Sequence, residues 1–279
     1  MPQDFKLIQF AGIHLAGVNS HRSAVCILNG NPLKKPIKIT GLYEKIGHFG
    51  NLFSDDRLLD ILRLEGPFSR VFVDAPLSVP PCVACTRSYC PGVDACEDED
   101  LAYMMSLANK ISTKQKRRRK SLNPQVQRLW DIYRLSRSDD EKYEATYSSN
   151  NAHHAVRARG LQKRLTQGTA AVLLEETSVA MSLEKMTCVL GLDTFALATY
   201  RSFSEGKRTR ELFIQALIEH KWLDADGEHD LVEQSVDVFE AFVTALVASL
   251  AECGLCERSP PDYSNQSQWV FRPELSTRL

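Results

Sequence analysis

Apolar and polar positions along this chain follow two periods. Leu7 to Ala16 and Ser23 to Leu28 are apolar runs parted by a turn at Gly17 to Ser20, and Asn29-Gly30-Asn31-Pro32 turns the chain toward a third run near Pro36 to Leu42. Short apolar runs bounded by Gly, Asn and Pro read as strands, so the chain opens on a three-stranded meander. Arg57 to Leu64 changes to the helical spacing, with Ser54 at the N-cap position and Gly66-Pro67 as the stop. Ser69 to Leu77 holds a continuous apolar run, the pattern of a strand covered on both faces. Thr169 to Glu175 repeats it as a fifth strand. Helices are expected from Thr194 to Ser202 and from Lys207 to His220, and a last amphipathic helix from Leu231 to Cys253.

Between the fourth and fifth strands the regular pattern lapses. Residues 79–165 therefore read as an inserted subdomain with helical stretches such as Asn123 to Leu135, and residues 1–78 and 166–279 as the two parts of one domain. The expected fold class is α/β, a mixed five-stranded sheet flanked by helices.

Composition changes this picture little. A chain of 279 residues with 43% hydrophobic content can bury one sizeable core and an insertion without disulfide support. It shows neither a leader pattern nor a long uncharged apolar stretch, so the expectation is a cytoplasmic protein with no membrane partner. The formal net charge of -1 gives no global argument for a polyanionic partner. Its distribution does. Acids gather at Asp94 and from Glu97 to Asp100, whereas Ser106 to Arg137 carries a dense basic block against the single acid Asp131. Lys116, Arg117, Arg118 and Arg119, with Arg157 and Arg159 further on, are candidates for contacts to a nucleic-acid backbone, and solvated surface is the blander reading. Trp130, Tyr133, Tyr143 and Tyr147 could stack on unpaired bases or fill helix faces of a core. His153 and His154 read as part of a polar loop.

Four cysteines stand in the order Cys82-x2-Cys85-x4-Cys90-x5-Cys96. In a reducing compartment clustered thiols are metal ligands more often than disulfides, and two short turns can present them to one tetrahedral ion. A structural Zn2+ is the expectation, with an iron–sulfur cluster and unbound thiols as the alternatives. Cys253-x2-Cys256 near the end of the last helix reads as packing.

The cysteines begin just after Asp74, which closes the apolar run Val71-Phe72-Val73. Glu175 ends the fifth strand, and Asp237 and Glu240 are three apart in the last helix, on one face. Carboxylates converging from strand ends and a late helix are what phosphodiester hydrolysis needs, because hard oxygen ligands must gather around Mg2+ or Mn2+. The competing reading of Asp74 is a turn cap.

This order of elements is that of a ribonuclease H-like fold, and the chain resembles a family called domain of unknown function 429, described as predicted ribonuclease H-like nucleases. The resemblance lies in Gly12-Ile13-His14-Leu15-Ala16-Gly17, Asp74-Ala75-Pro76-Leu77-Ser78, Glu175-Glu176-Thr177-Ser178, Tyr200-Arg201, Lys207 to Arg210, and Asp237-x2-Glu240-Ala241. It implies metal-dependent cleavage of nucleic acid by Asp74, Glu175, Asp237 and Glu240. Three positions depart from the family pattern: His14 stands where an acid is expected, Glu240 where Asp is usual, and Ser178 where a proline is expected. A neutral imidazole can still ligate a divalent ion. A hydrogen-bonded core histidine in a protein that binds nucleic acid without cutting it is the competing reading. A phosphotransferase loop at Gly12-x3-Ala16-Gly17 is a third reading, disfavoured by the prolines after Asp74.

Overall fold

The structure is a computed structural model and describes residues 8–17, 22–31, 33–34, 36–47, 54–111, 122–137, 147, 152–167, 172–193, 197–265 and 268–275. The chain divides into two compact units. Unit 1 comprises Met1–Ala75, Gly160–Arg258 and Phe271–Leu279, and unit 2 comprises Pro76–Arg159 and Ser259–Val270.

Strands β1 (Gln9–His14), β2 (Ser23–Asn29) and β3 (Lys38–Ile46) form the expected meander. β4 (Arg70–Val73) lies parallel to β1, and β5 (Leu174–Thr177) parallel to β4. With the short β6 (Val270–Phe271) at one edge, the sheet is six-stranded and mixed, in the order β3-β2-β1-β4-β5-β6. The interiors of β1, β2 and β4 are buried throughout, as strands covered on both faces must be. β3, at the other edge, is half-exposed and carries charges at Lys38, Glu44 and Lys45, a common device for blunting an edge strand.

Helix α1 (Ser54–Glu65) joins the meander to β4. In unit 2 lie α2 (Pro81–Ala84), α3 (Glu99–Lys110) and α4 (Leu129–Arg137), and α5 (Ala152–Leu165) spans the boundary between the units. Unit 1 continues with α6 (Val179–Leu190), α7 (Gly206–Glu219), α8 (Asp230–Gln234) and α9 (Val236–Glu252). From Val238 to Ala251 every residue of α9 is buried, so this helix is the centre of the core rather than an amphipathic cover. It packs beside Phe10, Cys26, Leu28 and Phe72 of the sheet.

Several boundaries depart from the pattern, each for a local reason. The expected last helix breaks at Ser235, whose backbone is extended and whose hydroxyl caps the new N-terminus by accepting from Val238 N at 3.4 Å. β5 starts at Leu174, later than its apolar run suggested. Val172 N is spent on Leu165 O and Leu174 N on the Gln162 side chain, so these groups close the end of α5 instead of joining the ladder. Of the helix expected at Thr194 to Ser202, residues 194–196 lie outside the described residues, Leu197 is helical, and the chain then turns, pinned at Tyr200 O by Arg210. Residues 123–127 are also a turn, and His153 and His154 lie in α5 rather than in a loop.

Unit 2 has its own small core. Trp130 and Trp269 meet edge to face at 4.7 Å, and Tyr133 meets Tyr263 the same way at 5.4 Å. Trp130 and Tyr133 are therefore core residues and not a stacking surface for bases. Ser259–Val270, far along the chain, completes this core, which the inserted range 79–165 did not anticipate. Arg128 is likewise structural. It is buried opposite Asp131 and bonds Ser78 Oγ at 3.2 Å, while its N–H donates to Asp131 Oδ2 at 2.9 Å in the manner of a capping box.

Candidate metal centre

β1 and β4 end side by side. Ile13 is in register with Val73, and Asp74 N donates to Ile13 O at 3.2 Å, so His14 and Asp74 emerge as neighbours at the same end of the sheet. α9 supplies the third member of the cluster, Glu240. It reaches β1 because residue 12 is glycine: a Cβ there would sit 2.2 Å from Ala241 O and 2.1 Å from Ala245 N, inside the helix backbone. Such close approach is open only to glycine, and it sets Glu240 against His14. One ligand atom each from His14, Asp74 and Glu240 lies within 4.8 Å of the other two.

Asp237 stands one turn earlier, in the first turn of α9, with Oδ1 at 3.5 Å from His14 Nε2. Arg22 clamps it through Nε at 3.0 Å and Nη2 at 3.2 Å. Glu240 is 1% exposed and accepts from Tyr200 Oη at 2.8 Å and Arg201 Nε at 2.5 Å, both at Oε1. Its Oε2 lies 2.8 Å from His14 Nδ1. That contact is close enough for an ion pair yet lacks the alignment of a hydrogen bond, and Nδ1 is otherwise buried without a partner. Asp74 Oδ1 accepts from Val179 N at 3.1 Å, at the start of α6. One oxygen of Asp74 thus caps the start of a distant helix rather than its own turn, and a carboxylate has a second to offer.

The charges in this cluster act on one another. Burial and the neighbouring Glu240 carboxylate push the Asp74 carboxyl up to about 6. Burial acts on Glu240 in the same sense, but the His14 ring and Arg201 overcome it and hold Glu240 down to about 2. For His14 burial disfavours the cation, and the contacts with Glu240, Asp74 and Asp237 outweigh it, so its pKa is raised. Arg201 is raised as well, because Glu240 outweighs its desolvation.

Glu175 does not join the cluster. It is in register with Phe72, two residues short of Asp74, and pairs with Arg70 at 3.1 Å, which also binds Glu252 at 3.0 Å. Two strand residues are about 7 Å. The β5 residue level with Asp74 is Thr177, whose hydroxyl donates to Phe271 O at 2.7 Å. Glu176, beside it, is buried. Arg22 carried no periodic signal that would have marked it, and Arg201 entered only through the resemblance.

In unit 2, Cys82, Cys85, Cys90 and Cys96 are free thiols lining one cavity, and no three of their sulfurs come within 4.8 Å of one another. Lys116, Arg117, Arg118 and Arg119, like Tyr143, lie outside the described residues. Arg157 and Arg159 lie on α5, with Arg159 exposed. Among the described residues no helix is long and apolar enough to cross a membrane.

An imidazole and two or three carboxylates, held by strand ends and a helix, define an α/β protein with a candidate divalent-metal centre. No protein-family model, curated protein or solved structure matches the chain.

Proposed function

We propose that this protein is a divalent-metal-dependent nuclease of ribonuclease H-like fold. The observation that carries this reading is the meeting of His14, Asp74 and Glu240 at the ends of β1 and β4 and the start of α9. The strand order β3-β2-β1-β4-β5, with an antiparallel meander followed by parallel strands, supports it, as does the resemblance at Asp74-Ala75-Pro76-Leu77. Asp74, Glu240 and His14 would hold the ion, with Asp237 alongside. The misaligned, otherwise unpartnered Nδ1 of His14 fits a ligand whose partner is a cation. A carboxylate majority with one imidazole favours Mn2+ over Mg2+. Bound there, the ion supplies Lewis-acid activation of water and of a phosphoryl oxygen.

The chain's own residues do the rest. Tyr200 and Arg201 fix Glu240, and Arg22 fixes Asp237. The side chains of Arg201 and Arg22 remain 62% and 54% exposed, so each can turn toward a phosphate. Arg157 and Arg159 add positive charge in unit 2, with Lys116 to Arg119 as the further basic candidates. Affinity for nucleic acid is expected to fall steeply with salt.

A second reading rests on the same charges. His14, Arg201 and Arg22 face Asp74, Glu240 and Asp237 closely enough to compensate them without an ion. In that reading the protein binds nucleic acid and does not cut it. Incubating labelled single-stranded and duplex DNA and RNA with Mg2+ or Mn2+ separates the two. Cleavage that Asp74→Asn abolishes supports the nuclease; salt-sensitive binding without cleavage under any ion supports the binding protein.

A further inference from the structure

We infer that unit 2 holds a structural zinc ion on Cys82, Cys85, Cys90 and Cys96. The first argument is what this part of the chain lacks. From Pro81 to Asp100 no residue is buried, although the segment makes a turn of helix at α2, a positive-φ turn at Gly92 and a 3-10 turn at Val93–Ala95. Most of its backbone bonds are local, such as Val83 N to Pro80 O and Cys96 N to Val93 O, and Cys82 N to Pro124 O at 3.2 Å ties its start to residues 122–128. Arg87 and Glu97 meet only at 4.0 Å and in solvent, a contact worth little. A segment without apolar burial keeps a fixed path only if something else holds it.

The second argument is where the thiols sit. All four line a single cavity of about 470 Å³, beside Gly92, Asp98 and Arg87. Four thiols gathered on one cavity, in a segment that itself contributes no buried residue from Pro81 to Asp100, offer a soft ligand set for a cation. Zinc bound by four thiolates at about 2.3 Å brings the sulfurs to about 4 Å from each other. Binding therefore draws the free thiols inward from their present spacing. The step releases four protons, giving a Zn(S-Cys)4 centre of net charge about -2, and Arg87 on the cavity wall offsets part of it.

The ligand set also fixes the kind of site. Four protein thiolates leave no open position, so the zinc is structural and takes no part in chemistry. The intervals x2, x4 and x5 match neither of the common iron–sulfur ligand runs. Thiolates select zinc whereas the centre in unit 1 offers oxygen and imidazole, so the two can be measured separately.

Protein prepared under reducing conditions without chelator is expected to be colourless and to carry about one Zn2+ per chain by elemental analysis. The paired substitution Cys85→Ser and Cys90→Ser should remove that zinc. In the wild type, a strong chelator should speed tryptic cleavage after Arg87 by about tenfold or more, and added Zn2+ should reverse it. If the variant fails to fold, cobalt exchange into the wild type decides the matter, with an intense tetrahedral Co2+-thiolate spectrum as the expected result. A visible iron–sulfur chromophore, metal-free protein, zinc retained in the double variant, or a pale octahedral cobalt spectrum would each overturn the inference. All of these readouts are independent of nuclease activity.

Discussion

Replacing Gly12 with alanine tests how the metal centre is built. The new Cβ would lie 2.1 Å from Ala245 N and 2.2 Å from Ala241 O, against 3.4 Å for ordinary contact. Both atoms belong to helix backbone, so no side chain can turn aside, and α9 must withdraw from β1 by more than about 1 Å. Overpacking of this kind costs about 1–3 kcal/mol. In a unit of this size that lowers Tm by roughly 2–12 °C. Glu240 precedes Ala241 and moves with it, so His14 and Glu240 part, and a misplacement of about 1 Å is worth on the order of 100-fold in rate. Gly160→Ala in α5 is the control, because a Cβ there meets nothing within 4 Å. That change should be neutral or stabilise by up to about 1 kcal/mol. Thermal melts read by circular dichroism, with Mn2+ titrations of each protein, make the comparison. A Gly12→Ala protein that melts and binds Mn2+ like the wild type would refute the close-approach argument.

Other outcomes follow from the same geometry. Asp131→Ala removes the carboxylate facing the buried Arg128 guanidinium and should destabilise unit 2 by about 3–5 kcal/mol; denaturation followed by Trp130 and Trp269 fluorescence checks this, and a loss below 1 kcal/mol would contradict it. Acid should weaken unit 1 through Glu240, whose depressed pKa contributes stability above the ordinary glutamate range and loses it as pH falls toward about 2. His14 and Asp74 act in the opposite direction. The His14 contribution is complete below its ordinary value of 6.5 and fades as pH rises through its raised folded value, and Asp74, raised to about 6, opposes folding once it ionises. Metal-free unit 1 should therefore lose stability as pH rises from about 4 to 6 through Asp74, and again above 6.5 through His14, while the Tm increment given by Mn2+ should grow, since a ligating imidazole and carboxylate must be deprotonated. Melts at several pH values with and without Mn2+ test this, and an increment flat in pH would speak against metal ligation. Arg201→Ala should weaken both phosphate binding and the hold on Glu240, raising KM and lowering kcat together; a variant with wild-type kinetics would exclude that role.

Some of this was readable from residue order alone. Continuous apolar runs mark β1, β2 and β4 because both faces are covered, and Asp74 stands out because a carboxylate directly follows such a run. The spacing of Asp237 and Glu240 places them on one helical face wherever the helix begins. Level within the sheet is another matter. Glu175 belongs to the right strand but sits two residues too low, because side-chain and backbone bonds near Gln162 and Leu165, and not apolarity, decide where β5 starts. Partners distant in sequence leave no periodic trace. Arg22 meets Asp237, and Trp269 closes a core begun by Trp130, without any local pattern announcing either. The break at Ser235 was hidden for a different reason: apolar spacing runs on through it, while only an extended backbone and a serine cap mark the new helix.

Manganese binding to the wild type and to Asp74→Asn, read by electron paramagnetic resonance, tests the central claim most directly. One saturable Mn2+ site that the substitution removes, in a variant that keeps the wild-type circular dichroism, is the predicted result. Equal binding by the two proteins, or no saturable binding by either, would contradict a metal centre at His14, Asp74 and Glu240.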